Sequence, residues 1–164
     1  MNFEEKGSRT EVTIYTDGSC LGNGTSGAVG GYCGIIIYSD GSETIISNGE
    51  ENTTNNRMEM KSIIEAIKVL PLRKNGFTIN LYSDSKITVN GINDWLDGWI
   101  IKNWKNSKGK AIANQDLWKE YLFVSSNHNI KATWIKAHDG DVYNERCDVI
   151  SRSEAEKLKE EMNI

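Results

Sequence analysis

The sequence predicts an α/β fold, a five-stranded mixed sheet flanked by helices, with elements in the order β-β-β-α-β-α-α-β-α. Three observations carry this prediction. Short apolar or alternating runs recur at residues 12–17, 32–38, 43–48, 77–83 and 130–134, the pattern of half-buried and fully buried strands. Other stretches place apolar residues at helical spacing, as Met60, Ile63, Ile64 and Ile67 do. The first three strands follow one another directly, whereas the later ones alternate with helices. That order predicts a meander followed by crossover connections.

The elements are justified in turn. Residues 1–10 are polar and are expected to form a loose tail, leaving 11–164 as a single domain. The first strand is expected to end at Asp17, before a glycine-rich loop over 18–31. Residues 32–38 are nearly all apolar and predict a well-buried strand. Asp40-Gly41 signals a hairpin turn, and 43–48 the return strand. Asn56 is expected to cap the first long helix, with Glu59 three residues on in a near capping box. Pro71, the only proline, follows the helix end. Phe77, Ile79 and Leu81 alternate into Ser83-Asp84. Residues 86–93, and a Trp-rich stretch through Trp104, read as helical. Leu117, Trp118, Tyr121 and Leu122 mark another helix. Ile130, Ala132 and Trp134 alternate as the last strand, and a charged helix follows from about residue 144 to 160.

Composition excludes several classes. The three cysteines, Cys20, Cys33 and Cys147, are odd in number and lack CxxC spacing, which argues against a disulfide framework or a zinc site. No apolar run approaches the ~20 residues of a membrane helix. The polar, acidic start does not read as a secretory signal. A cytoplasmic location is expected, and nothing demands more than a monomer. The formal net charge of −4 argues by itself against a nucleic-acid partner. Four acids assigned below to a metal site answer that objection, because two divalent cations would offset their charge.

Asp17 is placed at the end of the first strand, Asp84 at the end of the fourth, Glu59 near the start of the first long helix, and Asp148 at the start of the last. Crossover sheets form their sites beyond strand ends, and adjacent first and fourth strands would bring Asp17 and Asp84 together there. Several carboxylates cannot share a site as bare anions; hard divalent cations with oxygen ligands resolve the conflict. Each acid also has a plainer reading. Asp17-Gly18 suits a turn, Glu59 and Asp84 suit caps, and Asp148 suits an i,i+4 pair with Arg152.

The residues around these acids carry a resemblance. Thr16-Asp17-Gly18-Ser19-Cys20-Leu21-Gly22-Asn23, then Thr53-Thr54-Asn55-Asn56-Arg57-Met58-Glu59-Met60, then Ser83-Asp84-Ser85, then Trp134-Ile135-Lys136-Ala137-His138 and Asn144-Glu145-Arg146-Cys147-Asp148 occur in this order. They resemble the successive motifs of the type 1 (bacterial-type) ribonuclease H family. The resemblance implies a ribonuclease H-like fold. It also implies an endonuclease that hydrolyses the RNA strand of RNA–DNA hybrids by two-metal catalysis, leaving 3′-hydroxyl and 5′-phosphate ends.

By the same resemblance, Asp17, Glu59, Asp84 and Asp148 would bind two Mg²⁺ ions, with Mn²⁺ as a substitute, and His138 would move protons or release product. Gly18, Ser19, Cys20, Asn23, Asn55, Asn56 and Ser85 would contact substrate. Thr54 and Asn114 would form a DNA-phosphate pocket. Trp95, Trp99 and Trp104 would line a groove for the DNA strand, stacking on it, with core packing as the alternative.

Two departures stand out. Ile100 and Ile101 occupy a stretch where the family usually carries lysines, which predicts weaker and less salt-dependent hybrid binding. The glycine loop contains Gly22-Asn23-Gly24-Thr25-Ser26-Gly27, a literal GxGxxG. No helix is expected after it, so no helix N-terminus exists to hold a pyrophosphate, and dinucleotide binding is set aside.

Overall fold

The computed structural model describes residues 10–163. The expected tail falls outside the described residues except for Thr10, which already belongs to a strand. The order is β1 (Thr10–Leu21), β2 (Val29–Tyr38), β3 (Glu43–Glu51), α1 (Asn55–Lys68), β4 (Phe77–Ser83), α2 (Lys86–Asn90), a π-helical turn (Gly91–Trp95), α3 (Leu96–Ile101), α4 (Gln115–Ser125), β5 (Asn129–Trp134) and α5 (Val142–Met162). The sheet runs β3-β2-β1-β4-β5. The β1–β2 and β2–β3 pairs are antiparallel, and β1–β4 and β4–β5 are parallel. The expected mixed five-stranded α/β sheet is thus what the chain forms.

Helix α1 packs on β1 and β2 and against α4, and α5 crosses β1, β2 and β3 on the opposite face. Strand β2 is therefore covered on both sides, which is why Val29 through Ile36 are all buried. On the α1 face Val12, Ile14, Ile36, Ile79 and Leu81 meet Ile63, Ile64 and Ile67. On the other face Cys33, Ile35 and Cys147 form a smaller cluster with Tyr15 and Tyr143 against it. A Cβ at Gly31 would overlap the Ser151 backbone of α5, so glycine there lets the helix lie close on the sheet.

Several expected boundaries move. Strand β1 does not end at Asp17 but continues to Leu21 in register with β2, so the glycine loop shrinks from 18–31 to residues 22–28. The cap of α1 is Thr54, whose Oγ1 accepts the Arg57 N–H at 3.1 Å. Asn56 lies inside the helix, and Glu59 is too far along to close a capping box. Asp148 lies well inside α5, whose cap is Asp141, its carboxylate accepting the Asn144 N–H at 3.0 Å. Trp104 is not helical. Helix α3 ends at Ile101, and Asn103 and Trp104, at φ 55° and 62°, reverse the chain.

Candidate active site

The site begins where parallel pairing stops. Strand β4 pairs with β1 only as far as Thr16↔Ser83, while β1 continues beside β2. The sheet divides there, and Asp17 and Asp84 stand on either side of the division. Helix α1 brings Glu59 to the same place, because a Cβ at Gly18 would overlap the Met58–Glu59 backbone. Glycine at 18 is thus what allows the first turns of α1 to close on β1. Asp17, Glu59 and Asp84 each offer an oxygen, and these oxygens lie within 4.8 Å of one another.

Burial and mutual repulsion shape the electrostatics. Asp17 and Glu59 are 4% and 8% exposed. Burial, and then the charge of Asp84, raise Asp17 to about 7. Burial, followed by the charges of Asp17 and Asp84, holds Glu59 well above the usual carboxylate range. Burial also raises Asp84, against the Asn144 amide, which donates to its Oδ2 at 3.4 Å, and the nearby charge of His138.

The Glu59 Oε2 is buried with no hydrogen-bond partner among the described residues. An orphaned buried carboxylate oxygen is costly unless something positive meets it. Three converging carboxylate oxygens, on residues that include the unpartnered Glu59 Oε2, fit a hard divalent cation of the Mg²⁺ type.

The remaining predicted residues divide. Gly18, Ser19, Cys20, Asn55, Asn56, Ser85 and Asp148 line one cleft of about 610 Å³ with the three carboxylates. Asp148 stands at its edge, outside the tight cluster, with Oδ2 2.8 Å from Arg152 Nη2. The i,i+4 pair is therefore formed while the residue still borders the cleft. Asn23 does not line it; its Oδ1 accepts the Asn55 N–H at 3.0 Å and so positions the start of α1. His138 is exposed with φ 56° in the loop before α5. Its neighbour Ala137 reaches the cleft wall.

Trp95, Trp99 and Asn114 line a second groove of about 390 Å³, which shares Asn56 with the first. Trp95 is 41% exposed, whereas Trp99 packs edge-on against Trp118 at 5.2 Å. Trp104 lies outside this groove and packs against the core. Thr54 is exposed but serves as a helix cap. Arg57 joins this region together: its guanidinium donates to Asn114 Oδ1 at 3.3 Å and to both Asp116 oxygens at 3.0 and 2.8 Å. Ile101 is 84% exposed, and the lysines of this region lie beyond it, at 102, 105, 108 and 110.

Sequence reasoning did not single out Asn144, Trp134, Lys86 or Arg57. Asn144 and Trp134 both hold Asp84, Asn144 by its carboxylate and Trp134 by donating its indole N–H to the Asp84 carbonyl at 3.0 Å. Both stand within the quoted motifs, but nothing local to them indicates that they meet Asp84.

Comparison with known proteins agrees with this arrangement. Residues 9–156 match the RNase H family model. A ribonuclease H of Helicobacter acinonychis (strain Sheeba) is 49% identical over 147 residues, 90% of this chain and 94% of its own length. A ribonuclease H of Sulfurovum sp. (strain NBC37-1) is 43% identical over 155 residues, 94% of this chain and 97% of its own. Among solved structures, LC9-RNase H1, described as a type 1 RNase H with the type 2 active-site motif, superposes with a TM-score of 0.82 at 30% identity, covering 93% of this chain and 75% of that one. LC11-RNase H1, solved in complex with RNA/DNA hybrid, has a TM-score of 0.65 at 18% identity over 90% of this chain and 99% of its own, a likeness of fold. A divided sheet edge gathering three carboxylates, and relatives aligned over nearly the whole chain, lead to one conclusion: the chain belongs to the ribonuclease H family.

Proposed function

We propose that the chain is an endonuclease that hydrolyses the RNA strand of RNA–DNA hybrids in the Asp17–Glu59–Asp84 cleft. The observation that carries this reading is the buried, unpartnered Glu59 Oε2 beside two further carboxylates. Asp17, Glu59 and Asp84, with Asp148 at the rim, would hold two Mg²⁺, for which Mn²⁺ can substitute. When bound, such ions activate water and stabilise the attacking and leaving oxygens of phosphoryl transfer.

The chain's own residues do the rest. Asn144 and Trp134 fix Asp84 from two sides. Gly18, Ser19, Cys20, Asn55, Asn56 and Ser85 form the floor and walls on which the RNA strand lies, and Asn23 steadies the Asn55 backbone. The 2′-hydroxyl is the feature by which this wall tells RNA from DNA. A water oxygen attacks phosphorus, the bond from phosphorus to the 3′ oxygen breaks, and that oxygen leaves with a proton. The products carry 3′-hydroxyl and 5′-phosphate ends. His138, exposed beside the cleft, exchanges a proton during departure. Trp95, Trp99 and Asn114, with Thr54, serve the DNA strand, while Trp104 packs against the core. The protein acts as a monomer in the cytoplasm, through one domain spanning 11–164.

The test is cleavage of an end-labelled hybrid in Mg²⁺ by the protein and by Asp17→Asn, with EDTA controls and with single-stranded RNA, duplex RNA and duplex DNA alongside. The expected outcome is cleavage of the hybrid's RNA strand alone, lost in Asp17→Asn and in EDTA. A hybrid bound but uncut in both Mg²⁺ and Mn²⁺ would instead indicate a binding module.

A further inference from the structure

Asn-Gly pairs occur at 23–24, 48–49, 75–76 and 90–91. In such a pair the glycine backbone nitrogen can attack the asparagine side-chain carbonyl carbon, because no Cβ hinders its approach. The attack needs a backbone free to turn and an N–H not committed elsewhere. Folding withholds these from three of the pairs. Asn48 and Gly49 lie within β3, paired to β2, and the Gly49 N–H donates to Asn48 Oδ1 at 2.8 Å. The Gly76 N–H donates to the Arg73 carbonyl at 3.1 Å. Gly91 continues the helical backbone after α2, and its N–H donates to the carbonyls of Ile87 and Thr88. Gly76 and Gly91 are also buried.

Asn23-Gly24 differs on each count. Both residues are exposed, in the connection between β1 and β2. Gly24 stands at φ 86°, and a Cβ built there would meet nothing within 4 Å. Among the described residues its N–H has no hydrogen-bond partner. The turn is closed instead by Thr25, whose N–H and Oγ1 both donate to the Gly22 carbonyl. The Asn23 side chain is moreover polarised, because its Oδ1 accepts the N–H of Asn55, the first residue of α1, at 3.0 Å. A backbone N–H at a helix N-terminus draws electron density from that carbonyl and stabilises the negative charge that forms on its oxygen during attack.

We propose that Asn23-Gly24 is a self-modification site, where loss of the side-chain amide places a carboxylate beside the substrate wall and weakens the hold on the hybrid. The Gly24 nitrogen bonds to Asn23 Cγ, the Cγ–Nδ2 bond breaks, and the amide nitrogen leaves as ammonia with the proton that Gly24 gives up. Water then opens the cyclic imide at either carbonyl, leaving aspartate or isoaspartate at position 23, with no oxidant or cofactor consumed. The aspartate keeps an oxygen for the Asn55 N–H, whereas the isoaspartate lengthens the main chain by a methylene and displaces it. Either product adds a negative charge next to Asn55, which lines the carboxylate cleft. The effect on binding rests on the reading that this cleft receives the RNA strand of a hybrid.

The experiment stores the wild type and Gly24→Asn at pH 8 and follows each Asn-Gly pair by peptide mass spectrometry, with enzymatic methylation of isoaspartyl groups to detect isoaspartate. Asparagine tolerates the positive φ at position 24, and its side chain hinders the attacking nitrogen. Position 23 is expected to convert roughly tenfold faster than 48, 75 or 90, and to slow about tenfold in Gly24→Asn. Conversion at 23 no faster than at the other three, or not slowed in Gly24→Asn, overturns the proposal. A second arm measures the affinity of a fluorescently labelled hybrid in EDTA for the wild type, Asn23→Asp and Asn48→Asp, the last a control for net charge. Asn23→Asp is expected to bind roughly threefold more weakly at low salt, with its melting temperature held or raised by a negative charge at the start of α1. Asn48→Asp binds like the wild type. Equal affinities for Asn23→Asp and Asn48→Asp overturn the link to substrate. If the wild type neither binds nor cuts the hybrid, the functional reading falls, while the mass spectra still decide whether position 23 is modified.

Discussion

Along helix α1 the last turns bury Ile63, Ile64 and Ile67 against Ile14, Ile36 and Ile79, while the first turns bury Glu59 against two more acids. Glu59 and these isoleucines are all buried, yet the physical balance is opposite. At the core end, burial removes apolar surface from water and stabilises the fold, by about 1.5–3 kcal/mol for each large aliphatic side chain. At the cleft end, burial raises the carboxyls and leaves Glu59 Oε2 without a partner, which opposes folding. One helix therefore carries both a source of stability and the electrostatic strain that a cation would relieve. The core end secures the geometry in which the cleft end is held.

The comparison can be broken first by substitution. Glu59→Gln is expected to lower hybrid cleavage on the order of 10³-fold in Mg²⁺, while the melting temperature in EDTA at pH 8 holds or rises. Ile64→Ala should do the reverse. It costs about 2–5 kcal/mol of stability, read by denaturant unfolding, with cleavage retained while the protein is folded. A Glu59→Gln protein destabilised as much as Ile64→Ala would mean that the cleft end is structural after all.

A smaller effect sharpens the comparison through pH. Asp17 in the folded, metal-free protein is raised to about 7, whereas in the unfolded chain it ionises near 4. Between those values the folded state keeps a proton that the unfolded state has released, so its contribution to stability falls as pH rises through this window. In EDTA, the melting temperature of the wild type should therefore decline from pH 5 to 8 relative to Asp17→Asn. Adding Mg²⁺ at pH 8 should raise the wild-type value and leave that of Asp17→Asn nearly unchanged. Parallel profiles for the two proteins would remove the strain argument.

The smallest effect concerns the surface between the two grooves. Asp116→Ala frees Arg57 from an ion pair whose partners are 26% and 64% exposed, and should cost only about 0.5 kcal/mol. Its consequence should show in binding, because Arg57 also reaches Asn114. Hybrid affinity is expected to change more than stability does, as measured by titration beside thermal melting.

Much of the fold was legible because periodicity is local. The alternation at Phe77, Ile79 and Leu81 and the helical spacing from Met60 to Ile67 each indicate one buried face, and both faces are buried as expected. Boundaries were less legible where tertiary pairing decided them. Gly18 to Leu21 look like loop by composition, yet β2 offers a full antiparallel partner and they extend the strand. Thr54 and Asn56 are both acceptable caps by type. The hydrogen bond between Asn23 and the Asn55 backbone, from a different part of the chain, is consistent with the earlier start. Trp104 sits in a run that reads as helical, but the chain turns through left-handed conformations to pack its ring on the core.

By itself, the sequence determined the α/β class, the order of its elements, and the identity of the acids, since residue type and spacing are properties of the chain alone. Only the tertiary structure decided that three of those acids converge within 4.8 Å while Asp148 stands aside with Arg152. Only it revealed that Asn144 of α5 and Trp134 of β5 hold Asp84 by its carboxylate and by its backbone carbonyl. Proximity between residues 50 or more positions apart follows from strand order and helix packing, and those depend on burying the whole apolar surface at once rather than on any local pattern.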